Sequence, residues 1–318
     1  MVLFTFVKIH PMLPDRRLTF CLSFSLMIGF FSFSVAQATM PFEIQGHRGC
    51  RGYYPENTIP ACLAALKMGI TTIEIDVVIS RDSQVIVSHE PYFHHLISTH
   101  PAGIEITKEN EKTFNLFQMT VSEIQSFDVG IKKHPLFPLQ KPMSAIKPTL
   151  DQLVEAVNQF IQREALPPVK YNIELKRVPS NDQLTHPDPW TFAKLVYQTA
   201  KKNGILPFSN FQSFDQETVQ LLRKIDKNLS LAYLVDNSQS LEMHLVSLGF
   251  TPAIFSPQYK GVTSALVAEC HDRKMKIIPW TVNDASDIKS MIEMGVDGII
   301  SDYPDRVYNE YQSFLKKK

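Results

Sequence analysis

Cysteine is scarce in this chain, and no two cysteines are spaced C-x-x-C. Four thiols in 318 residues exclude the small disulfide-stapled scaffolds, and the missing spacing removes the usual zinc motifs. An excess of charge of one sign is missing too. Lys and Arg number 32, as do Asp and Glu, and no basic stripe stands out, so nothing supplies the phosphate-backbone attraction that nucleic-acid binding depends on. Repeats, low-complexity tracts and a linker splitting the chain are also wanting. What is present, 44% hydrophobic and 20% charged residues, is the balance of a packed globular core rather than of a disordered chain or a multi-span membrane protein.

A long uncharged stretch occurs at the start. Lys8, Arg16 and Arg17 precede Leu18 to Val35, which carries no charge, and Ala36-Gln37-Ala38 follows. A basic lead, an apolar middle and small residues at the A-x-A positions read as a secretory signal peptide over 1–38, leaving 39–318 as the mature domain. The competing readings are a retained anchor helix, since the stretch approaches the ~20 residues that span a bilayer, and a start at Met40. Cleavage implies a periplasmic or secreted protein with no stable membrane insertion, carrying 29 basic against 31 acidic groups. Cys50, Cys62 and Cys270 would remain. Their odd number leaves at least one unpaired, and they read as packing residues.

From residue 42 onward, short apolar runs alternate with helix-sized segments. Strands are predicted at 42–47, 72–78, 170–176, 207–212, 230–235, 253–256, 276–282 and 298–301. Helices are predicted at 57–68, 150–164, 189–203, 215–224, 238–248, 264–274 and 285–294, with a last one from Arg306. This alternation is that of an α/β protein, a single (β/α)8 TIM barrel of the usual ~250-residue size. Thr149 and Ser213 stand where helix caps are expected, and Gly69, Gly204, Gly249 and Gly295 where helices should stop.

Two segments interrupt the alternation. Ser80 to Gln84 is too short for the crossover between parallel strands, so the runs on either side, ending at Ile79 and starting at Val85, should form an antiparallel hairpin with an extra strand. The proline-rich segment 91–148 is longer than an ordinary loop and is expected to be an insertion over the barrel mouth that shapes substrate access.

Polar residues concentrate where barrel strands should be apolar. His47 and Arg48 stand at the end of the first strand, on a barrel's working face. In Thr72-Ile73-Glu74-Ile75-Asp76-Val77, alternation sends Glu74 and Asp76 to one face. Two adjacent anions repel unless a cation or a proton relieves them, so a hard divalent ion with oxygen ligands is one economical explanation. Solvent exposure or pairing with Arg or Lys is the other. A hairpin turn centred on Asp82-Ser83 would set His89 directly across from Asp76. On the next strand Asn172, Glu174 and Lys176 share a face, where Glu174 either completes an oxygen site or forms an internal ion pair with Lys176.

These residues, with Pro55-Glu56-Asn57-Thr58, Val85-Ile86-Val87-Ser88-His89, Pro279-Trp280-Thr281-Val282-Asn283 and Asp297-Gly298-Ile299-Ile300-Ser301-Asp302, occur in an order and spacing that resembles the glycerophosphodiester phosphodiesterase family, from Glu43 to about Asp305. The resemblance implies a hydrolase that cleaves small glycerophosphodiesters to glycerol 3-phosphate and an alcohol with a divalent metal, calcium or magnesium. It carries the metal ligands onto Glu74, Asp76 and Glu174, the acid and base onto His47 and His89, and phosphate contacts onto Arg48 and Lys176. It places Glu56 and Asn57 behind the metal and Trp280 on the wall of the glycerol pocket, although a buried core tryptophan fits the sequence as well. It further implies that the substrate's own glycerol hydroxyl is the nucleophile. A related phospholipase D or C would use the same groups. A glycosidase built on Glu74 and Glu174 would leave His47, Arg48 and His89 idle, and a non-catalytic binding barrel would not keep them all.

Overall fold

The computed structural model describes residues 42–317; the segment expected to be a signal peptide lies outside the described residues. Strands β1 (Glu43–Gly46), β2 (Thr72–Ile79), β3 (Val85–Val87), β4 (Lys170–Leu175), β5 (Ser209–Ser213), β6 (Ser230–Val235), β7 (Ile254–Pro257), β8 (Lys276–Ile277) and β9 (Gly298–Ser301) form one sheet in the order β8-β7-β6-β5-β4-β2-β1-β9, with β3 attached to β2. All pairings on that path are parallel, and β3 is antiparallel to β2. The expected barrel with its extra hairpin strand is the observed architecture.

The predicted strand at 276–282 keeps regular pairing for only two residues. Pro279 has no N–H to donate, so the ladder breaks there. Single backbone bonds complete the ring instead: the Asp297 N–H donates to Ile277 O at 3.0 Å, Ile300 N–H to Pro279 O at 3.0 Å and Val282 N–H to Ile300 O at 3.0 Å.

Helices α1 (Ile59–Lys67), α3 (Leu150–Glu164), α4 (Pro189–Lys202), α5 (Gln216–Ile225), α6 (Leu241–Leu248), α7 (Ser264–Asp272), α8 (Ala285–Met294) and α9 (Pro304–Leu315) follow the strands, and α2 (Val121–Ile124) belongs to the insertion. In α3, Leu150, Leu153, Val154, Val157 and Phe160 recur at helical spacing and are buried, each contributing about 1.5–3 kcal/mol on leaving water. Thr149 caps this helix in a reciprocal box with Gln152. The expected cap at Ser213 is wrong by two residues. Asp215 accepts from the Thr218 N–H, while the Ser213 hydroxyl donates to Leu175 O in the neighbouring strand.

Alternation divides each strand. Ile73, Ile75, Val77, Ile173, Leu175 and Phe211 face the helices in the main core. The barrel interior is unusual in being half polar. On the β1, β2, β4 and β5 side, Asn172 donates to Gln45 and Gln212, and Gln212 donates to Glu74 at 3.0 Å. Across from them Ala232, Ile254, Ile278 and Ile300 form a small apolar cluster with Trp280 against it. Buried polar groups hold one arrangement only when their bonds are complete, and this chain of amides orients Glu74 from below.

The insertion has a small core of its own, in which Phe93, Leu116, Ile124 and Phe127 pack against Val78 and Ile86 of the hairpin. Its register differs from expectation by one residue. Val77 pairs with Val87, Val78 with Ile86 and Ile79 with Val85, so Ser88, not His89, lies across from Asp76, and the Ser88 N–H donates to Asp76 O. The cause is a three-residue loop, Arg81-Asp82-Ser83, closed by the Ser80 N–H to Gln84 O bond, with Ser83 in the left-handed region at φ 57°.

Candidate active site

A recess of about 200 Å³ at the carboxyl ends of the strands is lined by His47, Arg48, Arg51, Glu74, His89, Glu174, Lys176, Phe214 and Trp280, among others. A larger depression of about 1010 Å³, bordered by α3 and Phe208, holds none of the predicted groups.

Carboxylate oxygens of Glu74, Asp76 and Glu174 lie within 4.8 Å of one another, and all three residues are buried. Asp76 and Glu174 are direct register partners in β2 and β4. Burial and the charges of Asp76 and Glu174 push the Glu74 carboxyl well above its usual range. Burial and Asp76 also raise Glu174, against the pull of Lys176. Burial opposes ionisation of Asp76 as well, yet Arg48, His89 and Lys176 hold it far below the usual carboxylate range. Asp76 Oδ1 is buried and accepts no hydrogen bond. Three converging acids, one with an idle oxygen and two strained toward neutrality, fit a hard divalent cation, which prefers oxygen donors and would relieve the repulsion.

Arg48 turns into this cluster on a left-handed backbone at φ 50°, a costly conformation for a non-glycine residue. Its N–H donates to Glu74 Oε2 at 2.8 Å, its Nη1 to Glu56 Oε1 at 2.6 Å, and its Nε stands 3.3 Å from Asp76 Oδ2. The next residue must be glycine. Gly49 has φ 86°, and a Cβ there would meet Ala61 backbone at 2.7 Å. Asn57 clamps Asp76 at both ends, donating to Oδ2 at 2.8 Å and accepting from the Asp76 N–H. Thr58 caps α1.

The two histidines have matching supports. His47 Nδ1 lies 2.6 Å from Asp302 Oδ1, and His89 Nδ1 lies 2.6 Å from Glu90 Oε1. A carboxylate at Nδ1 fixes the tautomer and leaves Nε2 as the working atom. Burial lowers the His47 pKa to about 4, with Arg51 and Arg48 adding to it and Asp302 opposing it. Although the hairpin register was misjudged, His89 still reaches the recess from one residue beyond the pair.

Lys176 Nζ donates to Glu174 Oε1 at 2.7 Å and stands 4.0 Å from Asp76 Oδ1. Trp280 is half-buried, donates to Ser256 O at 2.9 Å and meets Phe214 edge-on at 5.2 Å, so it walls the recess rather than filling the core. All ten predicted site residues thus gather around one recess. Sequence reasoning missed Arg51, Glu90 and Phe214, and gave Asp302 no role. Arg51 approaches Asp302 at 2.9 Å and Glu56 at 3.5 Å. Glu90 directly follows His89 in the chain, which was the one available signal. Cys50, Cys62 and Cys270 are free and buried, as packing residues should be.

A parallel barrel whose mouth gathers acids, two imidazoles and arginines around one recess carries the groups that phosphodiester hydrolysis uses. Residues 47–306 match the model of the glycerophosphoryl diester phosphodiesterase family. The chain belongs to that family. It is 29% identical over 268 residues to a glycerophosphodiester phosphodiesterase from Bacillus altitudinis, covering 83% of this chain and 96% of the relative. A crystal structure from Silicibacter pomeroyi DSS-3, assigned to the same diesterase class, superposes with TM-score 0.75 at 28% identity, over 85% of this chain and 93% of that one. The fold is shared with an Oleispira antarctica phosphodiesterase solved with the product sn-glycerol-3-phosphate, at TM-score 0.67 and 20% identity, over 84% of this chain and 96% of that one.

Proposed function

We propose that this chain hydrolyses glycerophosphodiesters to glycerol 3-phosphate and an alcohol by paired imidazole acid–base catalysis at a divalent-cation site. The observation that carries the reading is that two carboxylate-backed imidazoles line the same recess as three converging acids. Glu74, Asp76 and Glu174 would hold the ion, calcium or magnesium, which when bound supplies positive charge for the phosphoryl oxygens. Arg48 and Lys176 add fixed positive charge at the same place. His47, with its Nδ1 proton held by Asp302, keeps a free lone pair on Nε2 and takes the proton of the attacking hydroxyl. His89 gives a proton to the departing alkoxide as its P–O bond breaks. Attack by the substrate's own glycerol hydroxyl leaves a cyclic phosphate, which water, deprotonated by His89, then opens to glycerol 3-phosphate as His47 returns its proton to the glycerol oxygen.

Beyond the recess lies a pocket of about 540 Å³ that shares His89, Glu174, Lys176 and Phe214 with it but not His47. The alcohol leaves on that side, past the acid, while Trp280 and Leu234 face the glycerol end. Incubating the purified protein with glycerophosphocholine and a divalent salt should release glycerol 3-phosphate and choline in equal amounts. Release of neither, with the protein folded, sinks the proposal.

Export is the proposed location, supported by the basic lead, the uncharged run and the Ala36-Gln37-Ala38 site. Mass spectrometry of the protein from expressing cells should find an amino terminus near Thr39; an intact Met1 refutes processing.

A further inference from the structure

Between Asp128 and Asp151 the chain holds no acidic residue, while Lys132, Lys133, Lys141 and Lys147 fall in that stretch. Its inner side is fastened to the barrel mouth. The Phe137 ring packs 4.6 Å from the guanidinium of Arg51, a residue of the reaction recess. Gln140 donates to the carbonyls of Arg51 and Tyr54, and the Lys141 N–H donates to Tyr53 O. Asp128 accepts from the N–H groups of Gly130, Ile131 and Ala145, which ties the two ends of the excursion together.

Five large apolar side chains of the segment stand exposed. Leu136 is 71% exposed, Leu139 52%, Ile131 51%, Ile146 40% and Met143 37%. Exposed apolar side chains are normally scattered singly, and a cluster this dense marks a contact surface. Lys133 and Lys141 are exposed among them. Pro135, Pro138 and Pro142 restrict the backbone between, so little order remains to be gained on contact.

We infer that segment 131–146 is a peripheral docking surface for an anionic lipid bilayer. Apolar tips enter the headgroup boundary, and Lys133 and Lys141 meet lipid phosphates. Charge complementarity selects this occupant, because the segment carries cations and no acid that an anionic surface would repel. A bilayer also accepts separated apolar tips without the shape matching that a protein partner requires. Among the described residues no helix is long and apolar enough to cross a membrane. A glycerophosphodiester is a phospholipid without its acyl chains, and docking would hold the barrel mouth where such molecules are released.

The test is co-sedimentation of the purified protein with vesicles of phosphatidylglycerol and phosphatidylcholine, and with vesicles of phosphatidylcholine alone. Binding should be confined to the anionic vesicles, weaken with added salt and fall at least about tenfold in a Lys133→Glu/Lys141→Glu variant. A Leu136→Asp/Leu139→Asp variant should lose binding while keeping its melting temperature and its turnover of glycerophosphocholine in solution. Equal binding to both vesicles, binding to neither, or binding unchanged in both variants overturns the proposal. So does a wild-type dimer in solution that the leucine variant dissolves, which would assign the face to a second copy of this chain.

Discussion

Replacing His47 by Ala lowers kcat/KM by about 10²- to 10⁴-fold, the range for loss of a positioned general base, with the melting temperature little changed. His47 is held in the recess by one strong partner, Asp302, at 2.6 Å. Asp302→Asn keeps the ring in place but can present its amide NH₂ to Nδ1, favouring the tautomer that protonates Nε2. Activity should therefore drop in this variant too. The pH profile adds a separate check. With the His47 pKa lowered to about 4, the neutral, base-competent ring persists as pH falls below the ordinary histidine value of about 6.5. The limb of kcat/KM set by this group then lies near 4, and activity is lost only as pH falls through it. Near-normal turnover by His47→Ala removes the assigned role, whereas a wild-type limb at the ordinary value that disappears in the variant keeps the role and refutes the lowered pKa.

Chelation of divalent ions abolishes turnover, and calcium or magnesium restores it. The expectation comes from buried charge: Glu74 and Glu174 are pushed toward their neutral forms and Asp76 keeps an idle buried oxygen. An ion that binds only the folded chain also raises its stability, by about 2.7 kcal/mol at one hundred times its Kd, so added metal should raise Tm. Glu74→Gln gives up one of two accepted hydrogen bonds, from the Arg48 N–H or from Gln212, so its own metal-free Tm is the baseline, and the metal-dependent rise above that baseline should be removed. Full turnover in excess chelator contradicts the metal role, and a Tm rise that survives in Glu74→Gln takes Glu74 off the ligand set.

Much of this site was legible because strands alternate. Glu74 and Asp76, and Asn172 and Glu174, are two residues apart, so each pair must share a face, and Ile73, Ile75 and Ile173 claim the other. Turn chemistry was harder to read. Nothing local distinguished a loop centred between Asp82 and Ser83 from the three-residue loop that formed, and that single residue moved His89 off the position opposite Asp76. At β8, Pro279 cut short a strand whose apolar pattern continues to Val282, since the pattern reports side chains and the ladder needs an N–H.

The sequence by itself determined the order of strands and helices, the face that each side chain takes and the residue types at the mouth, because these follow from local periodicity and residue chemistry. Tertiary structure alone decided what stands behind them. Asp302 backs His47 across 255 positions of chain, Arg48 bonds Glu56 and Glu74 at once, and Gln212 steadies Glu74 from β5. The first of those contacts exists because ring closure sets β9 beside β1, and the bonds to Glu74 because β1 and β4 flank β2, with β5 next beyond β4; a contact made between distant segments leaves no trace in the spacing of either one.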